Sequence, residues 1–87
     1  MRTEFLKQFY KDLDKLPKSV NNDVADAIEN VEATTRTTEI KNLKKLTGYK
    51  HAYRIKIGDY RIGVYIENGI VEFARVARRK DVYRIFP

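Results

Sequence analysis

Arg54, Lys56 and Arg61 stand in the segment YRIKIGDYRIG, where basic and apolar residues alternate on either side of a Gly58-Asp59 pair. Alternation sends successive side chains to opposite faces of a strand. Tyr49, His51, Tyr53, Ile55 and Ile57 then share one face, and Lys50, Ala52, Arg54 and Lys56 share the other. In the next run Tyr60, Ile62, Val64 and Ile66 are apolar, with Arg61, Gly63, Tyr65 and Glu67 opposite. The apolar faces of neighbouring strands must share one core, so the basic faces coincide. Arg61, just past the turn, falls near Lys56 across the hairpin. Cations about 7 Å apart along a strand match the spacing of phosphates in an extended single strand. Lys44 and Lys45 precede this array, and Arg78, Arg79, Lys80 and Tyr83 follow it. A tyrosine beside arginines can stack on a base or contact a sugar or phosphate.

Such a set can do more than bind. RNA carries its own nucleophile, the 2′-hydroxyl. Attack on the adjacent phosphate needs a base, stabilisation of the charge that develops on phosphorus, and an acid for the leaving 5′-oxygen. Arg and Lys supply the electrostatic part, usually the largest. A lysine crowded by other cations can act as a base, and a tyrosine can do so less readily. The RNA would have to be held in line by something else. The single histidine, His51, falls on the apolar face and reads as a packed side chain. Tyr49 and Tyr53 likewise read as core-side residues.

The elements that must position this set follow from periodicity. Residues 5–16, FLKQFYKDLDKL, place Leu6, Phe9, Tyr10, Leu13 and Leu16 at helical spacing, stopping before Pro17. Residues 18–34 form a second helix with a stripe of Val20, Val24, Ile28 and Val31. The short connection predicts an antiparallel helical hairpin. Residues 34–42 are a polar, threonine-rich connection, and LKKLTG leads to a turn at Gly48. Strands are predicted at 49–57, 60–67 and 70–77, joined by Gly58-Asp59 and Asn68-Gly69 turns. Both faces of the third strand are mixed, so parity does not orient Arg78 and Arg79. DVYRIF at 81–86 is a last helical turn or a packed tail, and residues 1–4 leave room for a short further strand. The predicted class is α+β: a helical hairpin on a small antiparallel sheet, built as a three-strand meander, one domain over residues 1–87.

Charge is unevenly placed. The chain of 87 residues carries a net charge of +6. Residues 1–42 hold seven Lys/Arg against eight Asp/Glu, and residues 43–87 hold eleven against four. A near-neutral half and a basic half predict a structural half and an anion-binding half, with nucleic acid the commonest large anion. There is no cysteine, so neither a disulfide framework nor a thiolate metal site is available. The carboxylates show no metal-ligand spacing, and neither a metal nor a cofactor is expected. No run approaches the roughly 18 apolar residues of a membrane span, and no signal-peptide core follows Met1. A cytoplasmic location away from membranes is expected.

The runs YRIKIGDYRIGVYIENG and VARRKDVYR resemble the RelE family of toxins from bacterial and archaeal toxin–antitoxin modules. FLKQFYKDLDKLPK is similar to that family's opening helix and Leu-Pro-Lys turn, and LKKLTG to the segment before its first meander strand. The resemblance covers nearly the whole chain. It implies an endoribonuclease that cuts messenger RNA in the ribosomal A site with Lys, Arg and Tyr. Arg54 and Lys56 match the family's two basic residues of the first meander strand. The first of these is often Lys, and since Arg is not readily deprotonated, Lys56 is the better base. Arg61 matches a phosphate and transition-state clamp. Arg79 and Tyr83 match the Arg and Tyr of the His-Arg-Lys-Asp-Val-Tyr stretch, and Arg78 stands where many members have His. The catalytic set implied is Arg54, Lys56, Arg61, Arg79 and Tyr83, with Lys44, Lys45, Lys50, Arg78 and Lys80 as further RNA contacts. The resemblance also implies a cognate antitoxin, encoded beside the toxin, that covers the basic surface. Promoter DNA would be met only through that complex. Two other functions share the fold: a ParE-like toxin that binds DNA gyrase, which generally lacks this residue set, and a non-catalytic binding module.

Overall fold

The computed structural model covers residues 1–87. Its elements are β1 (Arg2–Phe5), α1 (Lys7–Leu13), α2 (Lys18–Ala33), β2 (Leu43–Lys45), β3 (Ala52–Ile57), β4 (Tyr60–Glu67), β5 (Ile70–Arg78) and α3 (Arg79–Ile85). A short 3-10 turn spans Thr37–Glu39. The class is α+β, as expected, but the sheet is larger than a meander. It has five strands in the order β1-β5-β4-β3-β2, with β1 parallel to β5 and the other pairs antiparallel. Phe5, expected in the first helix, ends β1 instead, and α1 is correspondingly shorter. Each helix packs mainly on the sheet, α1 on β5 and α2 on β1 and β3, so the helical hairpin is not the unit that buries the stripes.

The main core lies between the sheet and these helices. Phe9, Val20, Val24 and Val31 meet Ile55, Ile62, Val64, Ile66, Val71, Phe73 and Val76. The parity predicted for β3 and β4 holds here, with Tyr53, Ile57 and Tyr60 at the margin of this core. The turns also hold: Asn68 and Gly69 both take positive φ, 54° and 77°, which suits a tight hairpin. The third meander strand looked mixed because it is bulged. Gly63 pairs with Arg75 but Val64 pairs with Phe73, which leaves Ala74 as the extra residue. The bulge lets Val71, Phe73 and Val76 all face the main core, while Ala74 turns to the other side.

That other side carries a second, smaller core of Leu46, Ala52, Ala74, Val82 and Phe86. It seats α3 on the face that parity assigned to cations. Gly63 is the close-approach point. A Cβ there would lie 2.5 Å from Phe86 Cγ, so only glycine lets the Phe86 ring settle on β4. The basic face is therefore divided. One part is covered by α3, and the rest is open.

β1 ends before β5 does, leaving the last part of β5 as a free edge. Asp12, 7% exposed, closes it. Its Oδ2 accepts the Val76 N–H at 3.0 Å and the Arg75 Nε–H at 2.8 Å. Burial by itself would raise the Asp12 carboxyl, but the hydrogen bonds from Arg75, Val76 and Gln8 outweigh it and hold the group below its usual value. Its contribution to stability is fully present above the ordinary carboxylate pKa of about 3.9 and is lost as pH falls through the lowered value. Asp12→Ala leaves Arg75 and the Val76 N–H without their acceptor. We expect a loss of about 3 kcal/mol, seen as a melting point lower by ~10–20 °C. A melting point within ~2 °C of wild type would show that the edge is held by something else.

Candidate functional site

The open part of the basic face is a groove of about 560 Å³, within the size range of ligand sites. Its walls come from three segments. β3 and β4 contribute Arg54, Lys56 and Arg61, with Lys56 and Arg61 directly paired across the hairpin. α3 contributes Arg79 and Tyr83. Residues 42–49, which run through β2 and the turn after it, contribute Lys44, Lys45, Thr47 and Tyr49, with Leu43 and Leu46 as apolar floor. The Leu46 N–H bonds to the Ala52 carbonyl at 2.9 Å and closes this loop against β3.

Electrostatically the groove is one-sided. Six cationic side chains line it and no Asp or Glu does. None of the six belongs to a salt bridge. The pairs present are Arg2–Glu4, His51–Glu67, Arg75–Asp12 and Arg84–Asp81. Arg61 is oriented by backbone instead, its Nη1 donating to the Gly58 and Tyr60 carbonyls, each at 2.8 Å. Arg54 lies with its guanidinium carbon 4.3 Å from the centre of the Tyr83 ring, a cation–π contact. Its Nε is buried without an acceptor. Arg79 Nε–H donates to the Tyr83 hydroxyl at 3.4 Å. That hydrogen bond is the largest influence; desolvation opposes it, the charges of Arg79, Arg54 and Arg61 add to it, and the net result holds the Tyr83 phenol below its ordinary value. The groove thus places fixed positive charge beside a phenol whose ionised form those charges favour.

The five residues proposed as catalytic from the sequence, Arg54, Lys56, Arg61, Arg79 and Tyr83, all line this one groove, as do Lys44 and Lys45. The other three do not. Lys50 is exposed in the turn before β3. Arg78 points elsewhere, its guanidinium carbon 5.4 Å from the Tyr60 ring centre. Lys80 lies with Arg78, Arg79 and Tyr83 in a shallower depression around Asp59. Two expectations are corrected. Tyr49 is not on the core side: β3 begins at Ala52, so strand parity does not reach residue 49, and Tyr49 lines the groove, 52% exposed. His51 is not packed in the core either. It is partly exposed, with Nε2 3.3 Å from Glu67 Oε1, outside the groove.

A mixed five-stranded sheet with α1 and α2 on one face, and on the other α3 beside a cationic groove free of carboxylates, defines an α+β protein with a groove suited to an anion. Residues 3–83 match the family model described as ParE toxin of type II toxin-antitoxin system. The chain is 35% identical over 88 residues to Toxin RelE3 of Methanocaldococcus jannaschii, covering 100% of both proteins. It is 28% identical over 83 residues to Putative toxin RelE1 of the same organism, covering 93% of this chain and 92% of that protein. The RelB–RelE antitoxin–toxin complex from Methanococcus jannaschii contains a similar structure, with TM-score 0.82 and 33% identity over 97% of this chain and 99% of that one. The archaeal RelE–RelB complex from Pyrococcus horikoshii OT3 shares the fold at TM-score 0.73 and 24% identity, over 90% and 93% of the two chains. The chain belongs to the ParE/RelE family of type II toxin–antitoxin toxins, and within it is RelE-like.

Proposed function

We propose that this toxin is an endoribonuclease that cuts messenger RNA in the ribosomal A site and so inhibits translation. The observation that carries this reading is the convergence of Arg54, Lys56, Arg61, Arg79 and Tyr83 in a groove free of carboxylates. In the proposed reaction the RNA 2′-oxygen attacks the adjacent phosphorus and the bond to the 5′-oxygen breaks. The products are a 2′,3′-cyclic phosphate and a free 5′-hydroxyl. Arg61 and Arg79 stabilise the charge on the phosphoryl oxygens, and Arg54 holds Tyr83. Lys56 accepts the 2′-hydroxyl proton, and Tyr83, with its lowered phenol, protonates the leaving oxygen. The ribosome supplies the in-line geometry that a shallow groove cannot impose. No helix is long and apolar enough to cross a membrane. The relatives crystallised with RelB support a cognate antitoxin for this chain, acidic where it meets the groove.

Mapping mRNA 5′ ends on a programmed ribosome tests the reading. The wild type should create new ends at the A site, and Arg79→Ala should lower their yield by about tenfold or more. Absence of new ends with the wild type would sink the nuclease reading. Trapped gyrase–DNA complexes would then favour the ParE-like one.

A further inference from the structure

The groove holds two exposed tyrosines, Tyr49 and Tyr83, and they are not equivalent. Tyr83 is engaged. One ring face carries the Arg54 guanidinium at 4.3 Å, and its hydroxyl accepts from Arg79. A base stacking on that face would have to displace the Arg54 guanidinium. Tyr49 is free: it takes part in neither of the cation–π contacts and in none of the aromatic pairs. The residue is 52% exposed, a cost for so large a side chain unless something covers it. Its backbone is fixed nonetheless. The Tyr49 N–H bonds to the Leu46 carbonyl at 3.3 Å, and Leu46 is buried in the second core. The ring therefore stands on a rigid turn, on the same groove as Lys44, Lys45, Lys56 and Arg61.

We propose that Tyr49 is the base-stacking platform of the groove, holding one unpaired RNA base while the cations hold the backbone. The inference rests on the nuclease reading for the identity of the ligand as RNA. It assigns to Tyr49 the stacking that the sequence alone suggested for Tyr83, and leaves Tyr83 to proton transfer. Stacking on a bare tyrosine face is tolerant of sequence, since every base has a π-face.

The test is an equilibrium titration of the full chain with a non-cleavable 2′-O-methyl RNA hexanucleotide at low salt. It is repeated with a single abasic residue at each position in turn. Tyr49→Ala should weaken binding of the intact hexanucleotide by about tenfold, and Tyr49→Phe should bind like wild type. The difference between wild type and Tyr49→Ala should vanish when one particular position is abasic. A merely structural role would weaken binding equally at every position, and that result would overturn the inference. So would a Tyr49→Ala affinity within about twofold of wild type, or no binding by the wild type at all. If the stacking signature appears but wild-type protein makes no cuts on the ribosome, the nuclease reading fails while the stacking assignment stands.

Discussion

Arg61→Ala should slow single-turnover cleavage on the ribosome by about 10²–10³-fold while leaving the melting temperature nearly unchanged. The guanidinium is held by two carbonyls of its own turn, Gly58 and Tyr60, and by no carboxylate. Its orientation is therefore fixed before the RNA arrives, and its remaining N–H donors are free for phosphoryl oxygens. Preorganised donors of this kind act where charge develops and need no reorganisation during reaction. Arg79 shares its donors with Tyr83, so the smaller loss falls there. Arg61→Lys should recover little, because a lysine cannot bridge the two carbonyls and present a planar fork to phosphate. A rate for Arg61→Ala within about threefold of wild type would remove Arg61 from the catalytic set.

Gly63→Ala should abolish cleavage from a distance. The new methyl would overlap the Phe86 ring, with its Cβ 2.5–2.8 Å from three ring carbons. Phe86 is 3% exposed and belongs to the second core with Val82. Displacing it should cost about 2–4 kcal/mol and should unseat α3 with Arg79 and Tyr83. The main core does not include Phe86, so the sheet and α1–α2 should remain folded. The expected signature is lost cleavage with a retained far-ultraviolet spectrum. Phe86→Ala made in the Gly63→Ala background should be milder than the sum of the two changes, because removing the ring removes its clash with the new methyl. Additive losses would show that α3 is not seated through this contact.

The sequence disclosed the strands that carry regular alternation and missed those that do not. Ile55, Ile62, Val64 and Ile66 announced β3 and β4, and the cations opposite them were placed correctly. β2 is three residues, Leu43–Lys45, too few to show a period. β1 is held by a parallel partner in which Arg2 stands beside Ile70, a pairing with no local signal. Ala74 bulges and reverses parity in the middle of β5, so the mixed pattern there was real and not a lack of pattern. Tyr49 was misplaced because YKHAY continues the alternation past the true start of the strand. The signal available was Gly48, whose φ of +85° marks a turn still in progress at residue 49. Strand parity did not bring Arg79 and Tyr83 into the site; family resemblance did. Their position depends on Val82 and Phe86 finding Ala52 and Ala74, contacts that periodicity cannot express.

The parallel pairing of the first strand with the last has a bearing on how the chain comes to be active. β5 lies between β1 and β4, so β1 has no strand partner until Ile70–Phe73 are available. Closing so long a loop is entropically costly and tends to make folding slow. The helix that brings Arg79 and Tyr83 to the groove follows β5 directly. A nascent or truncated chain that ends at β4 would carry Arg54, Lys56 and Arg61 but neither of those two residues. A growing chain thus cannot complete its groove before the residues of α3 have been made.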